Sequence, residues 1–205
     1  TAFRQAHFWI LFCLPLAGLV ILALYHILNM DNDGGTEFIL ASVRDARQLH
    51  VRQVPLIFIA TVLTHLTGGS AGREGAALQI GGSMGNKLGQ LLHLDDRDER
   101  MITMAGMAAG FSALFGTPIG AAVFAMEVES VGVMYYSAIV PCFLSALVAK
   151  WVASALGIAA TSFTLASAPH LTPLVLLQLL ALGVLCAFAA ALFCEAMEQG
   201  GKLYS

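Results

Sequence analysis

The chain has 205 residues, 58% of them hydrophobic and 11% charged, with a mean hydropathy of +0.80. Soluble domains carry about 25% charged residues, so an ordinary soluble domain is excluded and a polytopic membrane protein is indicated. A formal net charge of −3 excludes the basic surface that a nucleic-acid partner requires.

In chain order, the first apolar run is Phe8–Leu28, broken only by Pro15. It is long enough to cross a bilayer at 1.5 Å per residue. It is too long for the apolar region of a signal peptide and has no small-residue cleavage site. A turn cluster of Asn, Asp and Gly follows, and Glu37–Gln48 reads as a short amphipathic helix too polar to span. Arg44, Arg47, His50 and Arg52 make this connection basic, which favours the cytoplasmic side. Val54–Leu66 is apolar but too short to cross alone, and it runs into the Gly-rich stretch that begins at Gly68.

A helix over Ala76–Leu92 carries Gly81, Gly85 and Gly89 four residues apart, the spacing that lets helices approach closely in lipid. His93–Arg100 reads as a solvated loop of mixed charge. Met101–Met126 is apolar but is cut by Gly116-Thr117-Pro118 into two half-length helices, the second closed by Glu127 and Glu129. Val131–Leu156, interrupted by Pro141 and Lys150, and Leu171–Met197 are longer, and Glu195–Ser205 is a polar tail. Cys13, Cys142, Cys186 and Cys194 all lie in apolar runs, without paired spacing or flanking histidines. They read as small buried hydrophobes, with no metal site, no disulfide and no cofactor implied. The chain begins at Thr1 and reads as a piece of a longer protein.

The most informative stretch is Gly68-Gly69-Ser70-Ala71-Gly72-Arg73-Glu74-Gly75. Its neighbours place Arg73 and Glu74 at or near bilayer depth, where ionisable groups are costly and mark function. A glycine turn feeding a helix directs free N–H groups at one spot, which can hold an anion. Several other apolar runs are short or broken. Irregular backbone at membrane depth is tolerated only inside protein or lining a cavity, and interrupted helices in pairs point to a transport site.

The segment Gly72-Arg73-Glu74-Gly75, followed by Gln79-Ile80-Gly81-Gly82, resembles the Gly-Arg-Glu-Gly-Pro signature of the CLC chloride channels and transporters. Gly116-Thr117-Pro118-Ile119-Gly120, running on to Glu127, resembles that family's next helix, and Gly106–Phe115 is similar to its intervening small-residue helix. The resemblance covers almost the whole chain, which looks like the first half of a family member. It implies an all-α membrane protein of tilted and broken transmembrane helices, one repeat of an inverted-repeat fold. A homodimer in a bacterial inner membrane is implied too, each subunit having its own halide pore.

By resemblance Glu74 is the gate: its carboxylate occupies an anion site when ionised and swings away when protonated. Gly34, Gly35, Thr36, Gly72, Arg73, Gly75 and Ala76 are then the anion-binding positions, with Arg73 supporting the local fold. Thr36 is either a hydroxyl donor to the anion or an N-cap. Glu127 is a candidate for the proton path. The sequence departs from the family pattern at three places. Ala76 stands where the signature has Pro. Asp33-Gly34-Gly35-Thr36-Glu37 replaces the Ser-bearing early motif. Val128 replaces the second Glu that relays protons from inside in many antiporters. The context Leu63–Ala71 also resembles the fluoride-exporting bacterial branch. Chloride transport is the family default and proton-coupled fluoride export the alternative. Halide, protons and the lipid bilayer are the implied partners. The family's second half, with its Phe-bearing loop and pore Tyr, is not in these residues.

Two other classes compete. Gly68-Gly69-Ser70-Ala71-Gly72 fits a Gly-x-Ser-x-Gly serine-nucleophile pattern, so an intramembrane hydrolase using Ser70 with His65 as base is the enzyme alternative. A packing scaffold, with Arg73 and Glu74 as a buried pair, is disfavoured because adjacent residues on a helix do not face each other.

Overall fold

In the computed structural model the described residues are 8–30, 35–45, 49–128, 135–161 and 172–204, and all the regular structure among them is helical. The chain separates into two compact units, residues 1–162 and 163–205. Among the described residues the first holds seven α-helices: α1 (Leu14–Ile27), α2 (Gly35–Asp45), α3 (Gln53–Leu66), α4 (Arg73–Leu91), α5 (Asp96–Phe115), α6 (Pro118–Glu127) and α7 (Ile139–Ala155). The second holds α8 (Pro173–Tyr204). Stretches 136–155 and 173–202, with mean hydropathies of 1.7 and 2.5, are long and apolar enough to cross a membrane. Helices α1, α3 and α6 are apolar but shorter.

Prolines mark starts more often than breaks. The first apolar run opens as a 3-10 helix, Phe8–Cys13, and Pro15 lies in the opening turn of α1. Pro141 sits in the first turn of α7, after a 3-10 turn at Tyr136–Ala138. A first-turn N–H has no intrahelical partner, so the missing proline N–H costs nothing there. The expectation that Pro141 interrupts a helix is therefore corrected; residues 131–134 of that run lie outside the described set. The break at Gly116 is as read: its φ of +70° ends α5 left-handed, and Pro118 opens α6.

Two polar stretches read as loop and tail are helical. Residues 96–100 form the first turn of α5. Asp95 is its N-cap, with Oδ1 accepting from the Asp98 N–H at 2.8 Å. Asp96, Asp98 and Glu99 fall in that turn, where the helix dipole favours negative charge. The polar end of the chain continues α8 to Tyr204, supported four residues apart by Gln199 donating to Glu195 (2.9 Å) and Lys202 to Glu198 (2.7 Å). The cysteines are free. Cys142 is buried as expected, whereas Cys186 and Cys194 are exposed on α8, since an apolar helix in lipid can show thiols to hydrocarbon.

The first unit is organised on α4 and α5, joined through glycines. A Cβ built on Gly81 would fall on the carbonyl of Gly106, and one on Gly106 would fall on the carbonyl of Gly81. Gly85 meets the Ile102 carbonyl, and Gly110 meets that of Ala77, in the same way. Only glycine permits such backbone contact, as in small-residue seams in membranes. On its other side α4 meets α2, where a Cβ on Gly82 would lie 2.9 Å from Ile39 Cγ2. Ile39, Val43, Leu78, Met104, Met107, Ala121 and Cys142 belong to one buried apolar cluster that joins α2, α4, α5, α6 and α7. Ser112 donates to the Ala146 carbonyl (2.7 Å) and Ser145 to that of Ala105 (2.8 Å), tying α5 to α7.

Far from Gly72, a buried amide closes the unit. Asn86 Oδ1 accepts from the Leu49 N–H (2.9 Å) and from Gln90 Nε2 (2.8 Å), and its Nδ2 donates to Glu99 Oε1 (2.8 Å). Asn86 is 2% exposed, so Asn86→Leu leaves the Leu49 amide and the Glu99 carboxylate short of partners. Unfolding of the full-length protein in detergent should show about 2–3 kcal/mol lost. Lys87→Ala, at an exposed neighbour, should stay within about 0.5 kcal/mol of wild type.

Candidate functional site

The chain leaves α3 through Thr67 and turns at Gly68, whose φ is +92°. Gly69 donates to the Thr64 carbonyl at 2.8 Å, and a Cβ on it would lie 2.7 Å from Thr64 Cγ2 and 2.9 Å from Leu14 Cδ1. The turn therefore needs glycine at both positions. Gly72 is extended (φ −66°, ψ 135°) and is the N-cap of α4. Arg73 and Glu74 are thus the first two residues of a helix and not of a loop, three residues earlier than the sequence suggested. The orphan N–H groups at the start of α4 are those of Gly72, Arg73, Glu74 and Gly75. A glycine N-cap has no side chain to satisfy them, which leaves them for another acceptor. Ala76 is one position further in, where an α-helix uses the N–H for its first internal bond.

The start of α2 lies against this turn. Gly35 has a φ of +58°. Thr36 Oγ1 accepts a hydrogen bond from Gln79 Nε2 at 2.9 Å, and a Cβ on Gly75 would sit 2.9 Å from that oxygen. Two helix N-termini therefore converge at Thr36 and Gly75, each with a partial positive charge. The Glu74 side chain is exposed and folds back, so that a Cβ on Gly72 would lie 3.0 Å from Oε2. A carboxylate is thereby held at the mouth of the same N-terminus.

The remaining expected residues fall elsewhere. Arg73 points to Thr161 Oγ1 (3.5 Å), on the strap that follows α7. That strap is fixed by the Thr161 N–H donating to the Leu114 carbonyl (3.2 Å). Glu127 is the exposed last residue of α6, and Val128, its C-cap, packs against the core. Gly34 lies outside the described residues. Ser70 is exposed, and His65 Nδ1 is tied to the Thr61 carbonyl of its own helix at 2.8 Å, which does not orient the ring as a base for Ser70. Among the described residues no His, Cys, Asp and Glu group could hold a metal.

Gln79, part of the Gln79-Ile80-Gly81-Gly82 motif, joins the site although the motif by itself implies no role for it. The signal is a polar residue four positions after Gly75, and so on the same face of α4.

A voltage-gated chloride channel family model matches residues 17–205. The chain belongs to the voltage-gated chloride channel (CLC) family. A chloride/fluoride channel protein of Pseudomonas syringae pv. tomato is 35% identical over 202 residues, 98% of this chain and 45% of that protein. An H+/Cl− exchange transporter of Citrobacter koseri is 35% identical over 77 residues, 37% of this chain and 16% of that one. Among solved structures, a CLC-type fluoride/proton antiporter superposes with a TM-score of 0.79 at 35% identity. The match covers 90% of this chain and 47% of that one. The chain therefore has the CLC fold and is an integral membrane protein. It spans about half the length of the relatives that it matches most fully.

Proposed function

We propose that this chain carries the gate half of a CLC pore that moves a halide across a membrane, and that Glu74 is the gate. The observation that carries this reading is the convergence of the α2 and α4 N-termini at Thr36 and Gly75, with the Glu74 carboxylate folded back over Gly72 at the start of α4. A carboxylate and a halide compete for the same N–H donors, so the side chain can stand in for the ion and yield to it. Gly35, Thr36, Gly72 and Gly75 are the anion-binding positions, with Gly34 and Ala76 beside them; Arg73 braces α4 against the strap at Thr161. Residues 1–205 form one transmembrane domain, the first half of a longer chain whose second half completes the pore. The assembly is a homodimer in a bacterial inner membrane.

Chloride is the default ion of the family. The second reading, proton-coupled fluoride export, is favoured by the extent of the match. A chloride/fluoride channel protein and a fluoride/proton antiporter align over 98% and 90% of this chain, the H+/Cl− exchanger over 37%. In that reading Glu74 carries the proton and Glu127 lies on its path. The test is the full-length protein in liposomes loaded with chloride or fluoride. A halide gradient should dissipate, and with fluoride inside it should drive protons in the opposite direction. No flux of either ion would overturn the transport reading.

A further inference from the structure

One face of α4 is polar along much of its length. Gln79, Ser83, Asn86 and Gln90 follow one another at intervals of four, three and four residues, so they share a face of the helix. The stripe begins where Gln79 donates to Thr36, beside Gly75. It ends at Asn86, which bonds Gln90, the Glu99 carboxylate and the Leu49 N–H. Leu49 adjoins the basic connection at His50 and Arg52, so charge places this end on the cytoplasmic side.

Between the two ends stands Ser83. It is 0% exposed, and its hydroxyl has no hydrogen-bond partner. That is not the habit of this unit: Ser42, Thr64, Thr103, Ser112 and Ser145 each donate to a backbone carbonyl. A buried hydroxyl left unpaired costs about 1–3 kcal/mol, and a bound water is the usual partner where protein supplies none. At about 1.5 Å per residue, Ser83 lies about 6 Å along the helix from Gln79 and about 4.5 Å from Asn86. One bridging water spans about 5–6 Å, the length of two hydrogen bonds.

We propose that Ser83 is the middle station of a water-bridged proton path along α4, from Glu99 at the cytoplasmic end to Thr36 and Glu74. The path deepens the proton-coupled reading above and rests on it. A hydroxyl accepts a proton on a lone pair and releases its own hydrogen on the other side. A proton leaving one carboxylate thus arrives at the other with the stations between them unchanged. Asn86 and Gln79 do not carry it; their amides hold Glu99 and Thr36 in place. Glu127 can only collect protons for such a path, because Pro118–Met126 of α6 carries no polar side chain.

The test is proton uptake coupled to fluoride efflux from liposomes containing the full-length protein. Threonine and valine have nearly the same shape, so Ser83→Thr and Ser83→Val crowd the site alike and differ in the hydroxyl. Ser83→Val should take up protons about tenfold more slowly than Ser83→Thr. In a Glu74→Gln background, where Glu74 carries no proton, the two should move halide equally. Glu99→Gln still accepts from Asn86 but cannot load a proton, so it should slow uptake as Ser83→Val does. Equal uptake by Ser83→Thr and Ser83→Val, or wild-type uptake in Glu99→Gln, would overturn the path. If neither bulky variant folds, Ser83→Ala, which cannot overpack, is compared with wild type and the same tenfold loss is required. Wild-type protein that moves halide without protons overturns the proton-coupled reading, and this inference with it.

Discussion

Glu74→Gln in the full-length protein should abolish proton movement coupled to halide transport while leaving the halide pathway open. Glutamine keeps the size of the side chain and its reach over Gly72. It cannot carry a proton, and it has no charge with which to compete for the donors at the start of α4. A proton that crosses only on Glu74 then has no carrier, and coupled proton flux should fall at least about tenfold, or about 1.4 kcal/mol in barrier. Halide flux should persist, because the ion no longer has to displace a carboxylate from the start of α4. The fold is expected to survive: the side chain is exposed, and an exposed first-turn carboxylate gives its helix only about 0.3–1 kcal/mol. An unchanged Tm with lost coupling therefore separates a gate from a merely structural residue. Proton flux equal to wild type in Glu74→Gln would remove Glu74 from the mechanism.

The glycines on either side of the Arg-Glu pair, and the breaks at Gly116 and Pro118, are local chemistry and were legible as turns, as was the four-residue spacing of Gly81, Gly85 and Gly89. Composition and spacing alone led only to an anion-approach site; the assignment of a gate came from the resemblance of the motifs. The start of α4 was misplaced because two charged residues after glycines look like loop, whereas at a helix N-terminus a carboxylate is favoured. Asp95 and the acidic turn after it were misread for the same reason, although the capping signal was present. The pairing of Thr36 with Gln79, and of Asn86 with Leu49 and Glu99, joins residues that only tertiary packing brings together. Periodicity does not report such pairs; a buried amide needs a partner, but the sequence does not say which residue supplies it.

The second large effect is expected at the glycine seam. Gly106→Ala should destabilise the protein by about 2–3 kcal/mol, the upper part of the range for overpacking, seen as roughly 4–12 °C of Tm. Each of Gly81 and Gly106 places its α-carbon against the other's carbonyl, so a methyl group on either meets rigid backbone. No flexible side chain can rotate away to admit it. The helices must separate, and every contact in the seam from Gly110 on Ala77 to Gly85 on Ile102 lengthens together. In lipid little hydrophobic gain offsets that loss, because association there rests on close packing. Gly18→Ala is the control: in α1 nothing lies within 4 Å of the added Cβ, so it should be neutral or stabilising by up to about 1 kcal/mol through helix propensity alone. If Gly106→Ala and Gly18→Ala behave alike in thermal unfolding, the seam is not what holds α4. If they differ as expected, halide flux should fall with Gly106→Ala as well. The seam on one side and Gly82 against Ile39 on the other fix where α4 sits, and with it the turn that brings Gly75 to Thr36 and Glu74 over Gly72. The glycines would then set the position of the gate by setting how near two backbones can come.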